Sequence, residues 1–315
     1  MMNLPEKTAR YRSFGLIIES EFRLPELRLI DSTDSGMNGN MPDVVITRQP
    51  LEKLWQELTK VNEFLAVGEN SVLIRVPDTA IFGIKDGRTI EVSSSPTADE
   101  DKIRLYLLGS CMGILLMQKR ILPLHGSAVA IDGQAYAIVG ASGAGKSTLS
   151  SYLMERGHEL LSDDLIAVHV GEGGTPIVMP AYPQQKIWQE SMQLLGKSTA
   201  GLKPIYKRET KFAVPVEGAF LDTPLPLAGV FELTKHDKNA EIVPIVGLER
   251  FHALLRHTFR GFLLEPLGLM EWHFRTLSKF AGRIDMLRLS RPLDGDSLAD
   301  LYRLMVQSTK KEMLL

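Results

Sequence analysis

The chain has 315 residues, 44% hydrophobic and 23% charged, with a formal net charge of -2. That length suits one or two folded domains, and the near-neutral balance removes the electrostatic case for nucleic acid or an anionic membrane as partner. Cys111 is the single cysteine, which excludes an intrachain disulfide and a cysteine-based zinc site.

The opening, MMNLPEKTARYRSF, lacks the apolar core of a signal peptide, so a cytoplasmic location is expected. FGLIIESEF alternates loosely and predicts a strand, followed by an exposed loop, DSTDSGMNGNMPD, over 31–43. The runs VVITR, SVLIRV, AIFGIK and TIEVS are short and β-branched, separated by the turn signals PDT and KDGR. PLEKLWQELTKV reads as one helix among them. Residues 1–95 are thus expected to form a small, mostly antiparallel β-rich unit. It carries no catalytic motif, so its expected role is substrate recognition.

Residues 96–315 are expected to form the catalytic domain. TADE has the form of a capping box and predicts that Thr97 opens an apolar helix ending near Arg120, with Pro123 beyond it. Its most apolar part, LYLLGSCMGILLM, falls short of the roughly 20 residues needed to span a bilayer. SAVAI and QAYAIV read as strands joined by the hairpin turn Asp132-Gly133. KSTLSSYLMERG is a helix with Gly157 at its end, ELLS a short strand, and DLIAVHV another. PIVMP, KFAVPV, LAGVFEL and EIVPIV follow as strands, mixed with helices near 248–258, 267–281 and 297–309. The hairpin ahead of the first helix breaks regular βαβ alternation, so the fold class is α/β with a mixed sheet.

Gly140-Ala141-Ser142-Gly143-Ala144-Gly145-Lys146-Ser147 fits G-x-x-x-x-G-K-[ST] in full, between an apolar strand and a helix that continues with Thr148. Glycines let backbone N–H groups turn inward around phosphate, and the helix N-terminus adds its positive end. Lys146 would reach the terminal phosphates and Ser147 would offer a hydroxyl to Mg2+. The motif predicts nucleoside triphosphate binding without specifying the reaction. Asp163-Asp164 follows the next short strand, where one carboxylate could face Mg2+ and the other an acceptor hydroxyl, as a kinase requires. A cap or turn is the structural alternative for the pair. The other histidines, from His158 to His273, read as structural.

His125-Gly126 entering the hairpin, the Gly140–Ser147 loop, Arg156-Gly157-His158 after the loop helix, and Asp163-Asp164 resemble the catalytic core of the HPr kinase/phosphorylase family in order and spacing. The resemblance covers some 40 residues. It implies ATP and Mg2+ as requirements and the P-loop kinase core shared with ATP-dependent phosphoenolpyruvate carboxykinases. It also implies Asp163 as the base that activates a serine hydroxyl, Asp164 and Ser147 as Mg2+ ligands, and His125 beside the transferring phosphoryl group. The family's Glu-x-Arg-Gly-Leu-Gly signature is missing; GEGGTPIVMPAYPQQKIW stands there, so HPr as substrate and the reverse phosphorolysis do not carry over.

YRSFGLIIESEFRLPEL, YPQQKIW and HTFR (257–260) resemble a divergent branch that includes kinases encoded beside lasso-peptide biosynthesis genes, which phosphorylate a serine of the precursor peptide. Arg260 is the candidate cation at the γ-phosphoryl group, with a salt-bridged surface arginine as the alternative. Lys186 and Lys211 read as solvated lysines, and Trp55, Trp188 and Trp272 as packing residues.

Three functions stay open: a kinase for a serine of a peptide or small protein, a kinase for a small-molecule hydroxyl, and a non-kinase nucleotide-binding regulator. The LSGGQ-type signature of transporter ATPases and the Asn-Lys-x-Asp of GTPases are both missing. Homo-oligomers are compatible with the resemblance.

Overall fold

The computed structural model describes residues 8–30, 41–205, 208–236, 239–293 and 297–310. Most of the loop expected over 31–43, and the first seven residues, lie outside them. The chain divides into two compact units, Met1–Ile121 with Phe262–Trp272, and Leu122–Gly261 with His273–Leu315. The division by packing thus falls at Ile121 rather than at residue 95.

The first unit is built on a nine-stranded sheet: β1 Ala9–Ser13, β2 Leu16–Ser20, β3 Arg28–Leu29, β4 Val44–Arg48, β5 Thr59–Asn62, β6 Leu65–Val67, β7 Ser71–Val76, β8 Ala80–Lys85 and β9 Thr89–Ser94, in the order β3-β1-β2-β4-β9-β8-β7-β6-β5. Among the described residues of this unit, only the β2–β4 and β4–β9 pairs are parallel. Helix α1, Glu52–Glu57, is shorter than its sequence pattern, because Thr59–Asn62 pairs with β6 as a strand. The long apolar helix is α2 Glu100–Tyr106, a π-helical turn Leu107–Cys111, and α3 Met112–Gln118. Its N-cap is Asp99 rather than Thr97: the Asp99 carboxylate accepts from the amides of Asp101 and Lys102, which a residue two positions earlier does not reach. Its apolar residues 112–117 are all buried, and α3 packs on β8, which explains why this helix belongs with the first unit.

The second unit holds β10 Leu122–Leu124, β11 Gly126–Ile131, β12 Gln134–Gly140, β13 Glu159–Ser162, β14 Ile166–Val170, β15 Pro176–Met179, β16 Gln184–Trp188, β17 Pro204–Ile205, β18 Arg208–Pro215, β19 Leu225–His236, β20 Glu241–Pro244 and β21 Asp285–Pro292. Its helices are α4 Lys146–Met154, α5 Gln189–Leu194, α6 Leu248–Arg256, α7 Met270–Ala281 and α8 Leu298–Thr309, α7 starting in the first unit. The main sheet runs β10-β14-β15-β19-β12-β11-β13, and β21 joins β19 to β20. The β12–β19 and β19–β21 pairs are parallel, so the sheet is mixed. A small sheet, β16-β18-β17, stands beside it.

Alternation along the hairpin explains the layers. Ala128, Ala130, Ala135, Ala137 and Val139 point into one core, which α6 and α7 cover with Leu254, Leu277 and Phe280. Val129, Ile131, Tyr136 and Ile138 point into the other, covered by Leu149 and Leu153 of α4 and Leu301 and Met305 of α8. The strands joined at Asp132-Gly133 turn through two left-handed residues, φ 49° and 74°, which is what an Asp-Gly hairpin supplies.

Candidate active site

β11 is antiparallel to both β12 and β13, while β12, β19 and β21 run parallel. The C-terminal ends of β12, β13, β19 and β21 and the N-terminal end of β11 therefore meet at one edge of the sheet. Open α/β sheets bind ligands outside the carboxyl ends of their strands. A cavity of about 590 Å³ opens at this edge.

The glycine-rich loop leaves β12 at Gly140. A Cβ there would lie 2.5 Å from the Leu233 carbonyl oxygen, so only glycine lets β12 run this close to β19. Gly145, at φ 108°, turns the chain into α4. Ser142, Gly143, Gly145, Lys146, Ser147 and Thr148 all line the cavity. Lys146 donates from Nζ to the carbonyls of Gly140 (2.9 Å) and Ala141 (3.1 Å), lying back along the loop. Burial lowers its pKa, opposed by Asp163 and Asp164. An N-terminal turn of backbone amides next to this ammonium group is a seat for phosphate.

The aspartate pair sits in the turn after β13. Asp163 is 5% exposed. Its Oδ1 accepts from Ser127 Oγ at 2.6 Å and from Ser147 Oγ at 3.2 Å, and its Oδ2 accepts from the Lys186 amide at 2.8 Å. Burial pushes its pKa up; the bonds from Ser127 and Lys186 oppose that. Asp164 adopts φ 71°, a left-handed conformation. Its Oδ2 accepts from Lys186 Nζ at 2.8 Å. Burial would raise its pKa, but Lys186 outweighs burial and holds the carboxyl well below the usual range.

His125 stands between β10 and β11. Its Nδ1 is 2.9 Å from the Asp164 carbonyl oxygen, which can only accept, so Nδ1 carries the proton. Burial lowers the His125 pKa against the pull of Asp164, which favours the neutral ring. Its backbone amide donates to the His257 carbonyl at 2.8 Å. The His257 ring in turn meets the buried carboxylate of Glu232 at 3.0 Å, and Glu232 is also bound by Arg256 and Arg288. Those bonds, from His257 first, hold Glu232 below the usual carboxylate range.

The edge thus gathers His125, Lys146, Ser147, Asp163 and Asp164 around one cavity. Arg260 is not among its lining residues; it sits at φ 54° beside Phe259. Arg291 occupies the cavity instead, at the end of β21, donating from Nε to the loop carbonyl of Ala144 at 2.8 Å.

No family model matches the chain. Curated relatives do: an HPr kinase/phosphorylase of Mycoplasmopsis pulmonis is 38% identical over 73 residues, 22% of this chain and 24% of that one. Another, from Limosilactobacillus reuteri, is 29% identical over 142 residues, 42% of each chain. Over these stretches the chain is similar to HPr kinase/phosphorylases. The similarity spans less than half the length of these relatives. Among solved structures, the Hpr(Ser) kinase/phosphatase from Coxiella burnetii matches at 14% identity and a TM-score of 0.33, covering 60% of this chain and 91% of that one, which is too slight to bear on the reading.

Lys186, Trp188 and Arg291 also line the cavity, with no sequence motif to mark them. Lys186 is 8% exposed, not solvated, and grips both aspartates. Trp188 is 39% exposed and lines the cavity with Lys211 over its ring at 5.4 Å. Arg291 belongs to β21, which lies between β19 and β20. The alternation LRLSR in 287–291 was the signal available for it.

Proposed function

We propose that this chain is an ATP-dependent phosphotransferase that moves the γ-phosphoryl group to a serine hydroxyl of a peptide or small protein. The observation that carries the reading is the contact between the loop hydroxyl of Ser147 and the carboxylate of Asp163, with Asp164 beside it in the same cavity. A nucleotide-binding loop alone serves many reactions; a loop with a carboxylate pair at its phosphate end is the equipment of phosphoryl transfer. The likeness to HPr kinase/phosphorylases supports this choice, and supports a core of the type found in phosphoenolpyruvate carboxykinases.

The residues have distinct tasks. Backbone amides of 142–146 and the Lys146 ammonium bind the phosphate chain of ATP. Lys146 exchanges its two carbonyl partners for phosphate oxygens. Arg291 reaches the same chain from β21. His125, with its Nδ1 proton pinned on the Asp164 carbonyl, presents Nε2 toward the acceptor side. The carboxylate pair orients the hydroxyl and receives its proton.

Ser147 and the carboxylates offer oxygen donors only, the set that suits Mg2+. Among the described residues no cluster of three or more His, Cys, Asp or Glu could hold a metal by itself. An ion held by Ser147 and the carboxylates would take its remaining oxygens from ATP and water and neutralise charge on the phosphates.

The acceptor is assigned to the peptide class on the motifs shared with lasso-peptide precursor kinases. Trp188 and Lys211 line the same cavity as the loop and the carboxylate pair. The test is intact-mass analysis after incubation with Mg2+, ATP and, separately, a serine-containing lasso-type precursor peptide, HPr and free serine. The proposal expects one added phosphoryl group on the precursor peptide. Transfer to free serine alone would move the chain to the small-molecule kinases, and no transfer with ATP bound would favour a regulator.

A further inference from the structure

β16 sends its side chains alternately to two faces. Gln185 and Ile187 point into the protein. Gln185 donates to the Ser147 carbonyl at 2.9 Å and to Ser150 Oγ at 2.7 Å, and Ile187 packs with Met192 and Phe212. Lys186 and Trp188 line the cavity. Lys186 grips the aspartate pair, so Trp188 stands roughly 7 Å further along the same face, two residues at about 3.3 Å each. We propose that Trp188 determines acceptor specificity, packing against a large apolar side chain next to the acceptor serine of a peptide. This rests on the phosphotransferase reading above and names the part of the acceptor that the site recognises.

Three observations carry it. First, Trp188 is 39% exposed although it belongs to a strand tied to the loop helix through Gln185. Its ring is backed by its cross-strand partner Lys211, whose Nζ lies 5.4 Å from the ring centroid. A large aromatic surface is therefore presented at low cost in side-chain freedom, as recognition sites require. Second, among the described residues Trp188 and Leu194 are the exposed large apolar side chains that line the cavity, and Lys211 and Glu190 line it with them. An apolar spot with charged neighbours, continuous with the carboxylate pair, suits one apolar side chain on a solvated backbone. Free serine has nothing to place there.

Third, the spot lies at the acceptor end of the cavity. ATP on the loop directs its γ-phosphoryl group to the carboxylates, so its nucleoside leaves by the other end of the phosphate chain. The sheet order sets β13, which precedes the carboxylates, on one side of β12 and sets β19 and β21 on the other. The cavity residues Leu233, Arg291, Leu298 and Leu301, on β19, β21 and α8, serve the nucleoside end. Lys211 belongs with the carboxylates: its ammonium acts electrostatically on both Asp164 and Lys146.

The experiment uses a peptide library with a fixed central serine and varied neighbours, incubated with Mg2+, ATP and the full chain. Phosphorylated products are sequenced for wild type, Trp188→Ala and Trp188→Phe. For the best peptide, kcat and KM are measured, with KM for ATP in parallel. Wild type is expected to select a large apolar residue at one position flanking the serine. Trp188→Ala is expected to lose that selection and to raise KM for the peptide about 10-fold or more, with KM for ATP within about 2-fold of wild type. Trp188→Phe, which keeps an aromatic face and stays close in shape should Trp188→Ala fail to fold, is expected to restore part of the selection. Labelled peptides with no flanking preference in wild type would overturn the proposal. So would a rise in KM for ATP with an unchanged KM for the peptide, which would make Trp188 a platform for the nucleotide base. A wild type that labels no peptide would instead overturn the peptide-kinase reading on which the proposal rests.

Discussion

Gly126 separates His125 from Ser127 and pairs with Val139 one residue before the glycine-rich loop. A Cβ at this position would lie 2.3 Å from the Ile138 carbonyl oxygen, where ordinary Cβ contacts begin near 3.4 Å. The obstacle is backbone, not the end of a flexible side chain. Gly126→Ala therefore has to part β11 from β12 by roughly 1 Å, at an overpacking cost of about 1–3 kcal/mol. The same displacement moves His125, which touches Asp164, and Ser127, which holds Asp163. A misplacement of about 1 Å at reacting groups is worth on the order of 100-fold in rate. The assay is a urea midpoint for stability, with analogue binding and phosphoryl transfer on the folded variant. A midpoint shift equivalent to less than about 0.5 kcal/mol together with wild-type transfer would refute the reasoning, since surface-like behaviour is incompatible with a clash into a buried ladder.

Ser127→Ala should remove the 2.6 Å bond to a buried carboxylate and cost about 1.5–3 kcal/mol of stability, read from the urea midpoint. His273 is 1% exposed, and burial pushes its pKa down to about 4 from an ordinary 6.5. The unfolded chain then binds a proton that the folded chain refuses between those values. Its contribution is complete above about pH 6.5, falls as pH drops toward 4, and amounts to on the order of 3 kcal/mol. His273→Gln should flatten that part of the stability–pH curve, and an unchanged slope would place its origin elsewhere. Arg291→Gln should weaken ATP-analogue binding without unfolding the chain, measured by calorimetry. Lys146→Ala should weaken both binding and transfer.

The loop and the aspartate pair were legible because their chemistry is local: glycines at 140, 143 and 145 meet real backbone demands, and Asp163-Asp164 closes a four-residue strand. The Asp132-Gly133 hairpin was legible for the same reason. Arg291 at the cavity was not legible because reach depends on which strands neighbour β19, and pairing of β19 with β21 joins residues more than 50 positions apart. Lys186 looked like a solvated lysine because an amphipathic edge strand and a buried one share the same alternation; only the turn at Asp164 decides what faces it. Thr97 lost the cap to Asp99 through competition among nearby side chains for the same amides, a contest that spacing alone does not rank.

The central claim is tested most directly by a balance of products. ADP formed and phosphoryl groups gained by a serine-containing peptide are counted in one reaction with Mg2+ and ATP, for wild type and for Lys146→Ala. One phosphoserine for each ADP is expected with wild type, and loss of both with the variant. ADP matched by free inorganic phosphate, with no acceptor labelled, would contradict it.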